Sequence, residues 1–477
     1  MSITDLSAAQ LSTAIHAGEM SCREVMAAYL ARIAQCNPDV NAIVSLRDAD
    51  ELLAEAATCD EELAHGLSRG WMHGIPQAIK DLAETKGLRT SNGSRLLSDW
   101  VPSYDCLMVA RMKAAGCIVI GKTNVPEFGL GSHTFNDVFG TTRNALDHSR
   151  SAGGSSGGAA VALAMHMLPV ADGSDYMGSL RNPAAWNGIY GLRPSQGRVP
   201  AWPERDVYLA HMSTEGAMGR TVLDIAMLLG TQAGHDPRSP LSLQGRLDEF
   251  DTVASATAAL AGDVAGIRVG WLGDLNGYLA MELGILDHCG NGLRLLANLG
   301  CAVAPAMFAM EPQRVWEAWV TWRNFVTAAS LAPLLTNESK RELMKPEALW
   351  EVDRGLALTA PQITQAAVER TTFNREFVAL FDHFDVLAIP TAQVWPFPID
   401  QRWPRHIGDR EMDTYHRWME VTSYATFAGL PAISVPVGRD ERGLAVGMQL
   451  IGRPAGDVEL LRLAAAYEMG YDMKATR

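Results

Sequence analysis

The run Gly153-Gly-Ser-Ser-Gly-Gly158 constrains this chain more than any other stretch, because it passes directly into Ala159-Ala-Val-Ala-Leu-Ala164. A Gly/Ser tract alone reads as a flexible linker. Linkers do not usually stand between strand-like segments and an apolar helix, however. A glycine-rich turn at a helix N-terminus brings backbone N–H groups close to something small. From 70 to 200 the texture alternates in the same way. Strand candidates at 117–120 and 168–171 exchange with helical stretches at 106–115 and 157–167, which is the α/β pattern. Further strand candidates fall at 267–272, 301–304, 386–389, 432–437 and 445–451, and 311–383 reads as mostly helical. The first 65 residues read as helices. Asp5 or Ser7 caps a run containing Leu6, Leu11 and Ile15, and Ser21 caps a second with Val25, Met26, Tyr29, Leu30 and Ile33 on one face.

Composition narrows the class. Of 477 residues, 48% are hydrophobic and 20% charged, which excludes disorder, collagen and coiled coil. The net charge of −14 repels phosphate backbones, so no nucleic-acid partner is expected. The seven cysteines are odd in number, spread out and free of any C-x-x-C pair. They match neither a disulfide framework nor a zinc site, and no His/Cys/carboxylate cluster has ligand spacing, so no metal and no cofactor is expected. A reducing compartment fits them. The first 15 residues carry no secretory pattern, and the longest apolar stretch, 159–170, is shorter than the roughly 20 residues a membrane span needs. A cytoplasmic protein with no membrane partner is expected.

One motif misleads. Gly116-Cys-Ile-Val-Ile-Gly121-Lys122-Thr123 matches the phosphate-loop pattern. A phosphate loop needs a flexible anion nest between a strand and a helix. Here the middle is a β-branched apolar run, so the segment reads as a buried strand and a turn.

Three features carry chemistry. The first is Gly74-Ile-Pro-Gln-Ala-Ile-Lys80-Asp-Leu82, a lysine in an apolar setting that would ordinarily snorkel to solvent. The second is the glycine-rich turn with Ser155 and Ser156. The third is Gly173-Ser-Asp-Tyr-Met-Gly-Ser-Leu-Arg-Asn-Pro-Ala184, directly after a strand. Together they resemble the amidase signature hydrolases. So do Gly121-Lys-Thr-Asn-Val-Pro-Glu-Phe128, Phe139-Gly-Thr-Thr-Arg-Asn144, Gly188-Ile-Tyr-Gly-Leu-Arg-Pro194, Gly429-Leu-Pro-Ala-Ile-Ser-Val-Pro436 and Gly447-Met-Gln-Leu-Ile-Gly452. The resemblance implies an α/β fold: a large mixed β-sheet core covered by helices on both faces. It also implies a helical region at 1–65, core at 66–300, a variable, mostly helical substrate-pocket segment at 301–410, and a return to the core at 411–477.

The resemblance further implies three catalysts: Lys80, Ser155 in a cis peptide, and the nucleophile Ser179. A serine needs a base, and a lysine serves if burial lowers its pKa from about 10.4. Ile75, Ile79 and Leu82 supply apolar neighbours. His73 and His166 lie near these motifs in sequence without belonging to a recognisable triad motif. Oxyanion donors are implied on the backbone of Tyr176, Met177, Gly178 and Ser179. The usual Asp-Thr-Gly-Gly-Ser is here Asp175-Tyr-Met-Gly-Ser179, so Met177 must tolerate the loop's backbone or the loop differs. Ser156 is expected to hydrogen-bond the lysine, and Arg181 to pair with Asp175 or Asp172.

The implied activity is hydrolysis of the C–N bond of a linear amide through a seryl acyl-enzyme, with small-molecule amide and water as partners. Esters and carbamates present the same acyl carbonyl. Two other readings are an ammonia-producing, A-type amidotransferase subunit that works in a complex, and a non-catalytic binding protein on the same scaffold. Many members of the family are homodimers, and no residue here decides the oligomeric state. Trp316, Trp319 and Trp322 recur at three-residue steps of about 300°, which puts them on one broad helical face. That face is core or substrate-channel wall. As wall, it predicts a large apolar pocket for aryl, oligomeric or long-chain amides.

Overall fold

The computed structural model describes residues 2–209 and 212–475. The N-terminal helices begin at the expected caps. Ser7 accepts from the Gln10 N–H ahead of helix Ala8–His16, and Ser21 from the Glu24 N–H ahead of helix Cys22–Val40. Gln10 and Glu24 each bond back to the cap's own N–H, closing a capping box. Val25, Met26, Tyr29 and Ile33 form the buried face of the second helix.

A small sheet holds β1 (Ile43–Val44), β2 (Pro76–Lys80) and β3 (Ile118–Thr123) in the order β1-β3-β2. β2 and β3 are parallel, and β1 is antiparallel to β3. All six residues of β3 are buried, and Lys122 Nζ donates to the Ala83 carbonyl at 2.6 Å and Thr85 Oγ1 at 3.0 Å. The phosphate-loop look-alike is therefore interior strand.

The large sheet has eight strands: β4 (Val170–Asp175), β5 (Tyr190–Arg193), β6 (Thr214–Gly219), β7 (Arg268–Trp271), β8 (Ala302–Pro305), β9 (Val386–Pro390), β10 (Ala432–Arg439) and β11 (Ala445–Ile451). Their order is β8-β7-β9-β11-β10-β5-β6-β4. β7 pairs in parallel with β8 and β9, and the remaining pairs are antiparallel. Successive strand residues point to opposite faces. Val386 and Ala388 accordingly enter one core, and Leu387 and Ile389 the other. The N-terminal helices, Val222–Gln232, Ile285–Asn298 and Asp457–Ala475 build the first core; Pro312–Leu331, Ala360–Ala379 and Ser423–Phe427 build the second. Among the described residues no helix is long and apolar enough to cross a membrane.

β5 and β6 were not anticipated, and β4 runs four residues past the apolar stretch that announced it. The reason is close packing. A Cβ on Gly191 would stand 2.4 Å from the Leu180 carbonyl oxygen, and one on Gly216 would stand 2.4 Å from that of Leu192. These strands use glycine where β-propensity asks for branched side chains.

Helix Gly157–Ala164 is pressed against the small sheet through Gly158, whose Cβ would fall 2.3 Å from Asn124 N and 2.6 Å from the Ala42 carbonyl oxygen. Gly158→Ala is therefore expected to lower stability by about 1–3 kcal/mol, the usual penalty for overpacking. Thermal and denaturant melts read it, and an unchanged midpoint would show that the helix has room to retreat.

Candidate active site

Lys80 is the last residue of β2, and Asp172 fixes where that strand ends. Asp172 Oδ2 accepts from the Lys80 N–H at 3.0 Å, and Oδ1 from Gln77 Nε2 at 3.1 Å, so one carboxylate of β4 ties the small sheet to the large one. The Lys80 side chain is 1% exposed. Its Nζ lies 2.8 Å from Ser155 Oγ, 2.8 Å from Ser156 Oγ, 2.9 Å from Ser174 Oγ and 3.2 Å from the Ser174 carbonyl oxygen. Burial pulls its pKa down to about 8, against the opposing pull of the carboxylates of Glu215, Asp172 and Asp175. The expected contact with Ser156 is present. Ser174 is a further partner that the sequence did not single out.

The glycine-rich turn carries a cis peptide between Gly154 and Ser155. Thr134 Oγ1 donates to the Gly153 carbonyl at 2.8 Å, and Ser132 Oγ to that of Gly154 at 2.5 Å. The Ser156 N–H donates to the Ser179 carbonyl at 3.1 Å, which joins this turn to the loop after β4.

Asp175 organises that loop. Its Oδ1 accepts from the Gly178 N–H at 2.8 Å and its Oδ2 from the Leu180 N–H at 3.2 Å. Arg181 grips the same carboxylate with two bonds, Nε to Oδ2 at 3.0 Å and Nη2 to Oδ1 at 2.9 Å. Burial disfavours the charge on Asp175, but Arg181 and Arg193 outweigh it and hold the carboxyl well below the usual carboxylate range. Asp175, rather than Asp172, is thus the partner of Arg181. The loop's positive φ, +83°, falls on Gly178 and not on Met177, and a Cβ at Gly178 would meet Thr422 Cγ2 at 2.6 Å. This explains how the loop accepts methionine in place of the family's first glycine. The Met177 side chain packs into the second core, and its carbonyl accepts from Thr422 Oγ1 at 3.0 Å. The Gly178 N–H, expected as an oxyanion donor, is already committed to Asp175. The N–H groups of Tyr176, Met177 and Ser179 remain as the loop's candidates.

Ser155, Ser174, Tyr176 and Ser179 open onto one cavity of about 280 Å³. Its lining is mixed rather than simply apolar: Leu82, Phe128 and Val199 face Glu204, Glu215 and Arg323. Helix Pro312–Leu331 does contribute to the wall, through Arg323, Val326, Thr327, Ser330 and Leu331. Trp316, Trp319 and Trp322 are not among the lining residues. Tyr176, whose ring lies 5.7 Å from that of Trp319, lines the cavity where Trp319 does not. Trp316 packs on His416 at 5.2 Å, and Trp322 on Phe325 at 5.7 Å. Arg323 stands 5.0 Å over the Tyr176 ring and bonds Glu351 at 2.5 Å and Tyr415 at 2.9 Å. A lone arginine and glutamate 28 positions apart, on separate helices, left no periodic signal in the sequence.

Neither histidine near the motifs reaches the serines. His73 Nε2 meets the Cys59 carbonyl at 2.9 Å, and His166 Nδ1 that of Thr4 at 3.0 Å. Cys59, Glu62 and His73 bring ligand-type atoms within 4.8 Å of one another, but His73 Nδ1 already accepts from the Arg69 N–H. Both ring nitrogens are thereby committed, and the group reads as packing.

A buried lysine held by three serines thus stands beside a loop shaped by a buried Asp–Arg pair, where the two sheets meet. A family model described as Amidase matches residues 24–461, and the chain belongs to the amidase signature family. It is 34% identical over 494 residues to the A-type subunit of glutamyl-tRNA(Gln) amidotransferase from Acidothermus cellulolyticus, covering 98% of this chain and 95% of that one. Among solved structures it is similar to a bacterial aryl acylamidase of the amidase signature family, with TM-score 0.90, 30% identity and 99% coverage of both chains. It is also similar to the A-type subunit of glutamyl-tRNA(Gln) amidotransferase from Thermotoga maritima, with TM-score 0.76, 27% identity, and 98% and 95% coverage.

Removing Arg181 leaves the Asp175 carboxylate buried and without its bidentate partner. Arg181→Ala is expected to destabilise the fold by about 3–5 kcal/mol, the range for breaking a buried ion pair from one side. Denaturant unfolding reads it, and a loss below about 1 kcal/mol would show that Asp175 does not depend on this partner.

Proposed function

We propose that this protein hydrolyses an acyclic amide through a covalent acyl-serine. The observation that carries the reading is the contact of Lys80 Nζ with Ser155 Oγ at 2.8 Å inside a buried site that shares its cavity with Ser179. Neutral Lys80 takes the Ser155 hydroxyl proton as Ser155 takes that of Ser179, and Ser179 Oγ bonds to the amide carbon. Loop N–H groups of Tyr176, Met177 and Ser179 receive the charge that develops on the carbonyl oxygen, each such donor contributing about 3–4 kcal/mol. Ser155 then returns a proton to the leaving nitrogen, the C–N bond breaks, and water releases the acid from Ser179 by the same relay. Ser156 and Ser174 hold Nζ in place between proton transfers, and Arg181 keeps Asp175 charged and the loop in shape.

Two finer readings share this chemistry. The curated relatives are A-type subunits of an amidotransferase, matched along nearly their whole length, and this favours an ammonia-supplying subunit that works with partner chains. The likeness to an aryl acylamidase structure, together with Tyr176 and aliphatic side chains on the cavity wall, favours a hydrolase that needs no partner and takes aryl or other bulky amides. Turnover of a 4-nitroanilide by the purified single chain, exceeding that of glutamine, is the outcome expected of the hydrolase. Glutaminase activity that emerges only with partner subunits is the outcome expected of the amidotransferase.

Ser179→Ala should abolish turnover with the melting temperature kept, and Lys80→Ala and Ser155→Ala should each lower kcat by about 10²–10⁴-fold. Wild-type turnover in Ser179→Ala would remove it as nucleophile. The lysine works in its neutral form, which prevails above a pKa of about 8. The rate should therefore rise with pH through that region and fall as the lysine gains its proton below it. A kcat/KM profile that stays flat from one unit below that pKa to one unit above it would exclude a lysine base.

A further inference from the structure

Three carboxylates bear on Lys80, and they are not equivalent. Asp172 and Asp175 belong to β4, and Glu215 belongs to β6. Asp175 is neutralised by Arg181, and Asp172 accepts from the Lys80 N–H and from Gln77. Glu215 is different. It is the antiparallel partner of Ser174, so the two side chains project from the same face of the sheet, and Ser174 Oγ is 2.9 Å from Lys80 Nζ. Glu215 also lines the cavity that holds Ser155 and Ser179, and its Oε2 is buried without a hydrogen-bond partner. Burial pushes its carboxyl up, and the Lys80 amine beside it pulls it back toward the ionised form. The other charged or titratable groups facing it are Asp172 on β4, Glu84 and Glu204 on loops, and Cys106 ahead of helix Leu107–Ala114.

The geometry points to Glu215 as a positioning residue of the catalytic centre: its carboxylate is the counter-charge that decides at what pH Lys80 becomes the neutral base. The inference rests on the serine–serine–lysine reading. Lys80 Nζ meets Ser174, the register partner of Glu215, so the charge on one bears on the proton affinity of the other. A negative Glu215 stabilises the ammonium form of Lys80 and so delays the appearance of the base, whereas burial hastens it. The two influences oppose each other, so removing the carboxylate lets the amine become neutral at lower pH.

The test is the pH dependence of kcat/KM on a 4-nitroanilide, measured on the full chain for wild type, Glu215→Gln and Glu215→Asp. With the charge removed, the acid limb of Glu215→Gln is expected to move toward lower pH by about 1 unit, the low end of what one close charge does. Glu215→Asp, which keeps the charge, is expected to keep the limb near its wild-type place. The pH dependence of Ser179 phosphonylation by a fluorophosphonate should shift in the same way, since it needs the same base but no leaving nitrogen. Glu215→Met, of similar length, repeats the measurement if the glutamine variant does not fold. A uniform loss of rate at every pH, with the limb unmoved, would overturn the proposal and leave Glu215 as packing. Wild-type turnover in Lys80→Ala is the separate result that would sink the parent reading.

Discussion

An amine buried at the junction of two sheets is the constraint on which this molecule turns. Nothing in the interior tolerates a lysine side chain cheaply, so its nitrogen must be met on every side by oxygen. Ser155, Ser156 and Ser174 supply that shell from two elements, the glycine-rich turn and β4. For those oxygens to converge, the turn must approach β4 closely. The glycines enforce this, as at Gly173, whose Cβ would stand 2.7 Å from Ser156 Oγ. Asp172 then fixes the lysine's backbone from the same strand. The peptide geometry, the sheet junction and the chemistry are thus one requirement expressed at three scales.

Much of this was legible in the sequence, for specific reasons. The serine-bearing turn, the lysine at a strand end and the Asp175-to-Ser179 loop are local motifs, each weak alone, which the resemblance to the amidase signature hydrolases joined into one candidate site. The helix caps at Ser7 and Ser21 are local in the same sense. What sequence patterning missed is non-local. β5 and β6 carry glycine at their tightest contacts, so their strand character comes from neighbours rather than from their own side chains. Missing β6 also meant missing Glu215, whose place beside the lysine follows only from its register with Ser174. The Arg323–Glu351–Tyr415 group joins residues from three separated elements, and nothing in any one of them announces the others.

The tryptophans illustrate the limit of periodicity. Helical spacing puts Trp316, Trp319 and Trp322 on a common side, and all three are indeed buried in the second core. It does not say what stands in front of them. A ring from another element, Tyr176, packs on Trp319 and lines the cavity in its place, and the cavity wall is then built from the next turns of the same helix. A helix thus divides its length between core and cavity according to what packs against it.

That ring has a consequence for how such a site diversifies. Tyr176 is at once part of the loop that carries Ser179 and part of the cavity wall, with its ring against an aromatic interior of Trp319, Phe427 and Phe373. On this side the cavity is bounded by one side chain, in a loop whose turn is closed by the bond from the Gly178 N–H to Asp175. On the proposed function, the room left for a substrate and the backbone shape of the loop therefore rest on different contacts at this position. A lineage can lengthen or shorten what it accepts by altering a single residue without rebuilding the machinery beside it.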